Sequence, residues 1–123
     1  MAIEFTTEAI EDSSAYLTFT WYAYDGNPIL AANITTATMS LIDRLTEATI
    51  NSRTDVDVSA YFHATSGAFA FVLIAADNPI VGTPDVGHEW HVATFNLAAT
   101  QGGLGITRKV EFHIKVRDEK YIT

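Results

Sequence analysis

The residues best suited to metal chemistry lie in the run His88-Glu89-Trp90-His91. Its histidines are three positions apart, whereas the helical His-Glu-x-x-His motif needs four to bring both rings to one face. In a strand, His88 and His91 would point to opposite faces and could not bind the same ion. The other two histidines, His63 and His113, are distant in sequence, and there is no cysteine to complete a tetrahedral set. We therefore predict no metal site and no cofactor.

Two carboxylates, Asp55 and Asp57, are two positions apart and would share one face of a strand. They could join Asp77 or Asp85 around calcium, but calcium needs six or more oxygen ligands, usually gathered on one loop. As glycosidase carboxylates they would have to flank a cleft, which the sequence does not indicate. We interpret Asp55 and Asp57 as solvated edge residues.

Nucleophilic and phosphate chemistry have no motif in this chain. There is no Gly-x-Ser-x-Gly turn and no cysteine nucleophile. The glycine-rich run 102–105 precedes a strand, so it lacks the helix N-terminus that binds phosphate and is predicted to be a hairpin turn. We predict that the protein is not an enzyme. A small β-sandwich enzyme remains an alternative that would require acidic groups to converge in a cleft.

The elements that must position side chains are strands, because apolar and polar residues alternate between turn signals with no long helical period. The final strand, Lys109–Arg117, is the clearest, with Val110, Phe112, Ile114 and Val116 on one face. Further strands are predicted near 15–24, 36–42, 56–60, 68–73 and 88–97. The pattern predicts one all-β domain over 1–123, an antiparallel immunoglobulin-like β-sandwich of about seven strands, with extended segments at 1–13 and 118–123. A small barrel is the alternative.

The strand near 15–24 carries large side chains on both faces. Leu17, Phe19, Trp21 and Ala23 make a core face, and the opposite face has alternating tyrosine and threonine. Tyrosine is apolar in body and polar at its tip, which favours protein contacts. The candidate interface residues are Tyr16, Thr18, Thr20, Tyr22 and Tyr24, and Trp90 is added as a further contact-making aromatic. A loop folded over this face would make it a second core layer instead.

Charge and composition limit the partners. The chain has 123 residues, a net charge of −8 and no cysteine. This charge disfavours nucleic acid and anionic membranes. The absence of cysteine and of a signal-peptide pattern favours synthesis in a reducing cytoplasm. Residues 1–43 hold six acids and no Lys or Arg, whereas 108–123 hold five bases. Either the terminal strands pair and balance their charges, or copies meet head to tail.

Four segments, 55–61, 66–73, 76–81 and 91–95, resemble small virion proteins encoded in tailed-phage structural clusters. The resemblance covers roughly 37–117 and carries over no functional residue. It implies an immunoglobulin-like β-sandwich located in the virion, made in the host cytoplasm, with other virion proteins and copies of itself as partners. Capsid decoration is the leading expectation, and a tail or neck accessory protein is an alternative. A carbohydrate-binding or adhesin-like module, with Trp90 and the tyrosines stacking on a glycan, is another.

Overall fold

The computed structural model describes residues 3–82 and 87–118 and confirms an all-β chain. Three single-turn 3-10 helices, Ala31–Asn33, Ser59–Tyr61 and Ala75–Asp77, connect the strands. In these residues no helix has the length and apolar character needed to cross a membrane. The strands described are β1 (Ile3–Ile10), β2 (Ala15–Thr20), β3 (Ile34–Asp43), β4 (Val56–Asp57), β5 (Ala68–Leu73), β6 (His88–Gln101) and β7 (Leu104–Arg117).

The strands form two sheets. One has five strands in the order β1-β7-β6-β3-β4, and the other consists of β2 and β5. The terminal strands pair, which is one of the two alternatives for their opposite charges: Glu8 lies opposite Lys115, although Glu4 lies opposite Glu111. The prediction of a wholly antiparallel fold is wrong for this pair, because β1 runs parallel to β7. After β1 the chain leaves the five-stranded sheet and enters the other one as β2, so no hairpin forces the terminal strands to run in opposite directions.

The hairpin of β6 and β7 is the longest regular element. Its strands have 14 residues each, with Gln101 opposite Leu104 across a turn in which Gly102 and Gly103 both adopt positive φ. Both strands extend beyond the predicted 88–97 and 109–117. The reason is that Ala99 and Ile106 continue the buried alternation. Ala98, Ala99 and Gly105 obscure the ends of the sequence pattern, because alanine and glycine are depleted in strands.

The two sheets share one hydrophobic core. The inner faces of β2 and β5 contribute Leu17, Phe69, Phe71 and Leu73, all buried. Phe95 of β6 lies at the centre, with ring centroids 5.1 Å from Phe69, 6.0 Å from Phe19 and 5.8 Å from Phe112. Because these contacts join both sheets, the described strands form two layers around a single core.

Candidate interaction surface

The outer face of β2 is exposed. Tyr16, Tyr22 and Tyr24 retain 65%, 52% and 63% of their accessible surface, and Thr18 and Thr20 are exposed as well. β2 ends at Thr20. Beyond it, the chain is paired once more by an isolated β-bridge between Tyr22 and Pro28. The described residues do not bury the tyrosines, so they form a surface and not a second core layer.

Strand β5 widens this surface. Val72 lies opposite Tyr16, Ala70 opposite Thr18 and Ala68 opposite Thr20, and Ile74 continues the row with half of its surface exposed. The sequence analysis missed these residues because the run 68–73 resembles a strand buried on both faces. The small side chains of Ala68 and Ala70, alternating with phenylalanine, were the available signal. We call the combined surface the tyrosine face: Tyr16, Thr18, Thr20, Tyr22, Tyr24, Ala68, Ala70, Val72 and Ile74.

The tyrosine face carries no charged side chain, although the protein has 22 acidic and basic residues. At one end the tyrosine face borders a charged residue: the guanidinium carbon of Arg108 lies 5.0 Å from the Tyr24 ring centroid. Next to it, the Asn27 N–H and side-chain amide donate to Asp25 and lower the pKa of that carboxyl. Tyr24 is therefore at the polar margin of the face, and Tyr16 is at the apolar end near Val72 and Ile74.

Trp90 belongs to a different surface. It lies opposite Lys115 on the outer face of the five-stranded sheet and is half-buried. The guanidinium carbon of Arg44 is 5.3 Å from its ring centroid, and His88 meets its edge. The structure does not bring Trp90 together with the tyrosines, because the two outer faces point away from each other. The combined Trp90–tyrosine platform considered for glycans is therefore wrong.

The prediction that His88 and His91 point to opposite faces is confirmed. His91 is fully buried, and its Nε2 lies 2.5 Å from Glu89 Oε2. His63 is exposed, and its Nδ1 accepts hydrogen bonds from the Thr65 and Ser66 N–H groups. His113 lies on the outer face of β7, 3.2 Å from Glu111. The described structure therefore distributes the four imidazoles over separate environments.

Two clusters of possible ligand residues were not predicted from the sequence. In the first, on the outer face of β1 and β7, ligand atoms of Glu4, Glu111 and His113 lie within 4.8 Å of one another. The second lies between β3 and β6. Asp43 lies opposite His91, and ligand atoms of Asp43, Glu89 and His91 are all within 4.8 Å of one another. Strand alternation could have revealed that Glu89 and His91 share a face, but the pairing with Asp43 is non-local.

Hydrogen bonding gives this cluster a structural role. Glu89 accepts from the Val81 and Gly82 N–H groups, and Asp43 accepts from the Thr46 N–H and hydroxyl. Binding of a metal at His91 Nε2 would move the ring proton to Nδ1, which is buried without an acceptor in the described structure. That cost favours the hydrogen-bonded pair with Glu89 over metal coordination.

Within the described residues, the carboxylates suggested for calcium form no group that could hold an ion. Asp55 is in the left-handed region at φ 48° and exchanges hydrogen bonds with Ser40. Asp57 accepts from the Ser59 N–H, which lowers the pKa of the Asp57 carboxyl. Asp85 lies outside the described residues. The proposed strand face is also absent at this point, because β4 contains only Val56 and Asp57.

Asp77 is a buried structural anion. Its carboxylate accepts two hydrogen bonds from Arg53, at 2.7 and 2.9 Å, one from Asn51 and one from the Ile74 N–H. Burial alone would raise the pKa of the Asp77 carboxyl, but these hydrogen bonds outweigh it and hold the pKa below its usual value. The Arg53 guanidinium also lies over the Phe71 ring, at 5.2 Å. Asp77 thereby ties the loop after β3 to the loop after β5.

A shallow, open groove of about 710 Å³ crosses the outer face of the five-stranded sheet. Thr36, Thr38, Asn96 and Lys109 are among its lining residues, which include no carboxylate and no imidazole. The convergence of acidic groups that the enzyme alternative requires is therefore missing from this groove.

Comparison with known proteins gave no match among protein-family models, curated proteins or solved structures.

Proposed function

We propose that this protein is a non-enzymatic structural subunit of a phage virion, most simply a capsid decoration protein, which attaches through the tyrosine face. The observation that carries the proposal is an exposed, charge-free row of tyrosines and small apolar residues in an acidic chain. Aromatic residues are enriched in the central parts of protein interfaces, where charged residues are depleted. An exposed apolar patch rimmed by polar residues is typical of an interaction site.

The size of the face limits how strongly one copy binds. A six-residue strand spans about 20 Å, and two strands with their side chains are roughly 10 Å wide, so the face covers on the order of 200 Å². A stable interface commonly buries about 800 Å² on each partner. One tyrosine face is thus a weak contact. Repetition over a lattice of identical subunits would turn weak contacts into strong attachment.

The strand order supports an immunoglobulin-like sandwich as the finer description of the fold. In such domains strands G, F, C and C′ form one sheet, and strands B and E belong to the other. We assign β7, β6, β3 and β4 to the first set and β2 and β5 to the second. The sheet of β2 and β5 then has only two strands, which leaves its tyrosine face narrow and its edges short.

The virion assignment draws on the resemblance of residues 37–117 to tailed-phage structural proteins, and a tail or neck position satisfies it equally. Purified particles of the phage or prophage that encodes this chain should contain it in stoichiometric amounts when analysed by mass spectrometry. Particles without it would refute the virion assignment.

A carbohydrate-binding role is the second candidate, but Arg44 already lies over the Trp90 ring. Binding on a glycan array would favour that role.

Replacing Tyr22 with aspartate is expected to weaken self-association or particle binding by about 10–30-fold without unfolding the domain. The aspartate carboxylate would have to lose its water on entering the contact, and truncation of a tyrosine that is a binding hot spot costs about 2 kcal/mol. Sedimentation velocity and particle co-sedimentation measure the effect. Leu45→Asp is the matched control, because Leu45 is 91% exposed in the turn after β3 and outside the tyrosine face. An equal loss in both variants, or unfolding of Tyr22→Asp, would contradict the proposal.

A further inference from the structure

Strand β1 is an edge of the five-stranded sheet. One side pairs with β7 along eight residues, from Ile3 opposite Val110 to Ile10 opposite Arg117. In the described part of the chain no strand pairs with the other side. An edge of this length presents a row of backbone N–H and C=O groups that can pair with an additional strand.

The inner face of β1 is incompletely covered. Phe5 stacks on Phe112 at 5.0 Å, yet Phe5 keeps 38% and Ile3 keeps 47% of its accessible surface. The opposite layer has only two strands, β2 and β5, and leaves these two side chains partly uncovered. Phe19 of β2, which also contacts Phe112, is only partly buried. An added strand would therefore gain apolar contacts as well as backbone hydrogen bonds.

The outer face of β1 is acidic. Glu4 and Glu8 are both exposed, and the first 43 residues contain no Lys or Arg. On the β7 side, His113 Nε2 lies 3.9 Å from Glu4 Oε1 and Lys115 lies opposite Glu8, so the open side of the strand is where a further basic residue would face them. If two copies paired through β1 in a register centred on Thr6, each Glu4 would lie opposite Glu8 of the other copy. Like charges directly opposite each other destabilise a strand pair. Shifting the register by two positions still leaves four carboxylates on one face. Shifting it by one position turns the faces of the two copies to opposite sides, so that Phe5 of one copy would lie on the acidic face of the other. Neither shift gives a favourable pairing between copies.

The same charge selects a different partner. We propose that β1 is a docking edge for an extended segment of another protein, in which basic residues alternate with apolar ones. The basic residues would face Glu4 and Glu8, and the apolar residues would cover Ile3 and Phe5. Strand addition of this kind takes affinity from main-chain hydrogen bonds and specificity from alternate side chains. This edge is separate from the tyrosine face, so it can be tested independently of the proposed function.

The test is binding of a fluorescent eight-residue peptide that alternates lysine with valine, measured by anisotropy at low ionic strength. Saturable binding is expected, with amide hydrogen-exchange protection gained within residues 3–10. The double variant Glu4→Lys/Glu8→Lys should weaken binding at least about tenfold, since two favourable cross-strand pairs become unfavourable. Phe5→Ser should also weaken it through the lost apolar contact.

Two controls separate strand addition from general attraction to an acidic protein. A peptide of the same composition with its lysines in one block has the same charge but cannot alternate, and it should bind at least about tenfold more weakly. Tyr22→Asp should leave peptide binding unchanged, because it alters the other layer. Equal binding of the two peptides, protection outside residues 3–10, or an unchanged affinity in Glu4→Lys/Glu8→Lys would overturn the proposal.

Discussion

Replacing Asp77 with asparagine is expected to lower the free energy of unfolding by about 3–5 kcal/mol, the usual cost of removing one partner from a buried ion pair. Asp77 has no exposed surface and accepts hydrogen bonds from Arg53, Asn51 and Ile74. Asparagine keeps the volume but has one acceptor oxygen and brings an NH₂ group towards these donors. The Arg53 charge would also lose its partner. Urea denaturation at pH 7 measures the difference.

The same variant should remove part of the acid sensitivity of the protein. The pKa of Asp77 is lower in the folded protein than in the unfolded chain, where it is about 3.9. Its ionised form therefore stabilises the fold above that value, and this contribution is lost as the pH falls through the folded pKa. The stability gap between wild type and Asp77→Asn should narrow below about pH 4.

The control for Asp77 is Asp57→Asn, in which an exposed carboxylate that accepts from the Ser59 N–H is replaced. We expect a much smaller loss of stability than in Asp77→Asn, because an exposed acceptor is readily replaced by water. Equal destabilisation by the two variants would contradict the role assigned to the buried anion.

Replacing Phe95 with alanine is expected to cost about 3–5 kcal/mol, the range for a buried phenylalanine. Its ring is fully buried between the sheets, against Phe19 and Phe69 of one layer and Phe112 of the other. The cavity would therefore open where the layers meet. Thermal and urea unfolding should also remain a single transition, since one core joins both sheets.

Tyr16→Ala provides the comparison for Phe95→Ala. It removes an aromatic side chain from the tyrosine face, where Tyr16 is mostly exposed, so its effect on stability should be well below that of Phe95→Ala. If the two variants were equally destabilised, or if the sheets unfolded in separate transitions, the single shared core would be refuted.

Local alternation predicted much of this structure. Val110, Phe112, Ile114 and Val116 are buried as the period of two required, and the tyrosines of β2 are exposed on the opposite side from Leu17. A strand reports which residues share a face, but not which strand lies beside it. The parallel pairing of β1 with β7 and the contribution of Ala70 and Val72 to the tyrosine face both depend on neighbours distant in sequence.

The candidate site residues show the same limit: the sequence does not reveal partners that are distant along the chain. Asp77 looked like a calcium ligand because its partner Arg53 lies 24 positions away, where no local pattern connects them. Asp43 was not considered at all, since only the pairing of β3 with β6 brings it to His91. The sequence did not determine whether Trp90 is exposed. Its ring is covered by Arg44, which limits its use for stacking on a glycan, and this contact could not be predicted without the fold of the sheet.

The pairing of the first strand with the last has a consequence during synthesis. β1 leaves the ribosome first, but residues 110–117 of β7, its partner, are translated more than 90 residues later. At about 5–20 residues per second, the nascent strand waits on the order of 5–20 s without its partner. An apolar strand with unpaired edges is prone to aggregate over such a delay. Glu4 and Glu8 place charges within this strand, and charges in such segments oppose aggregation.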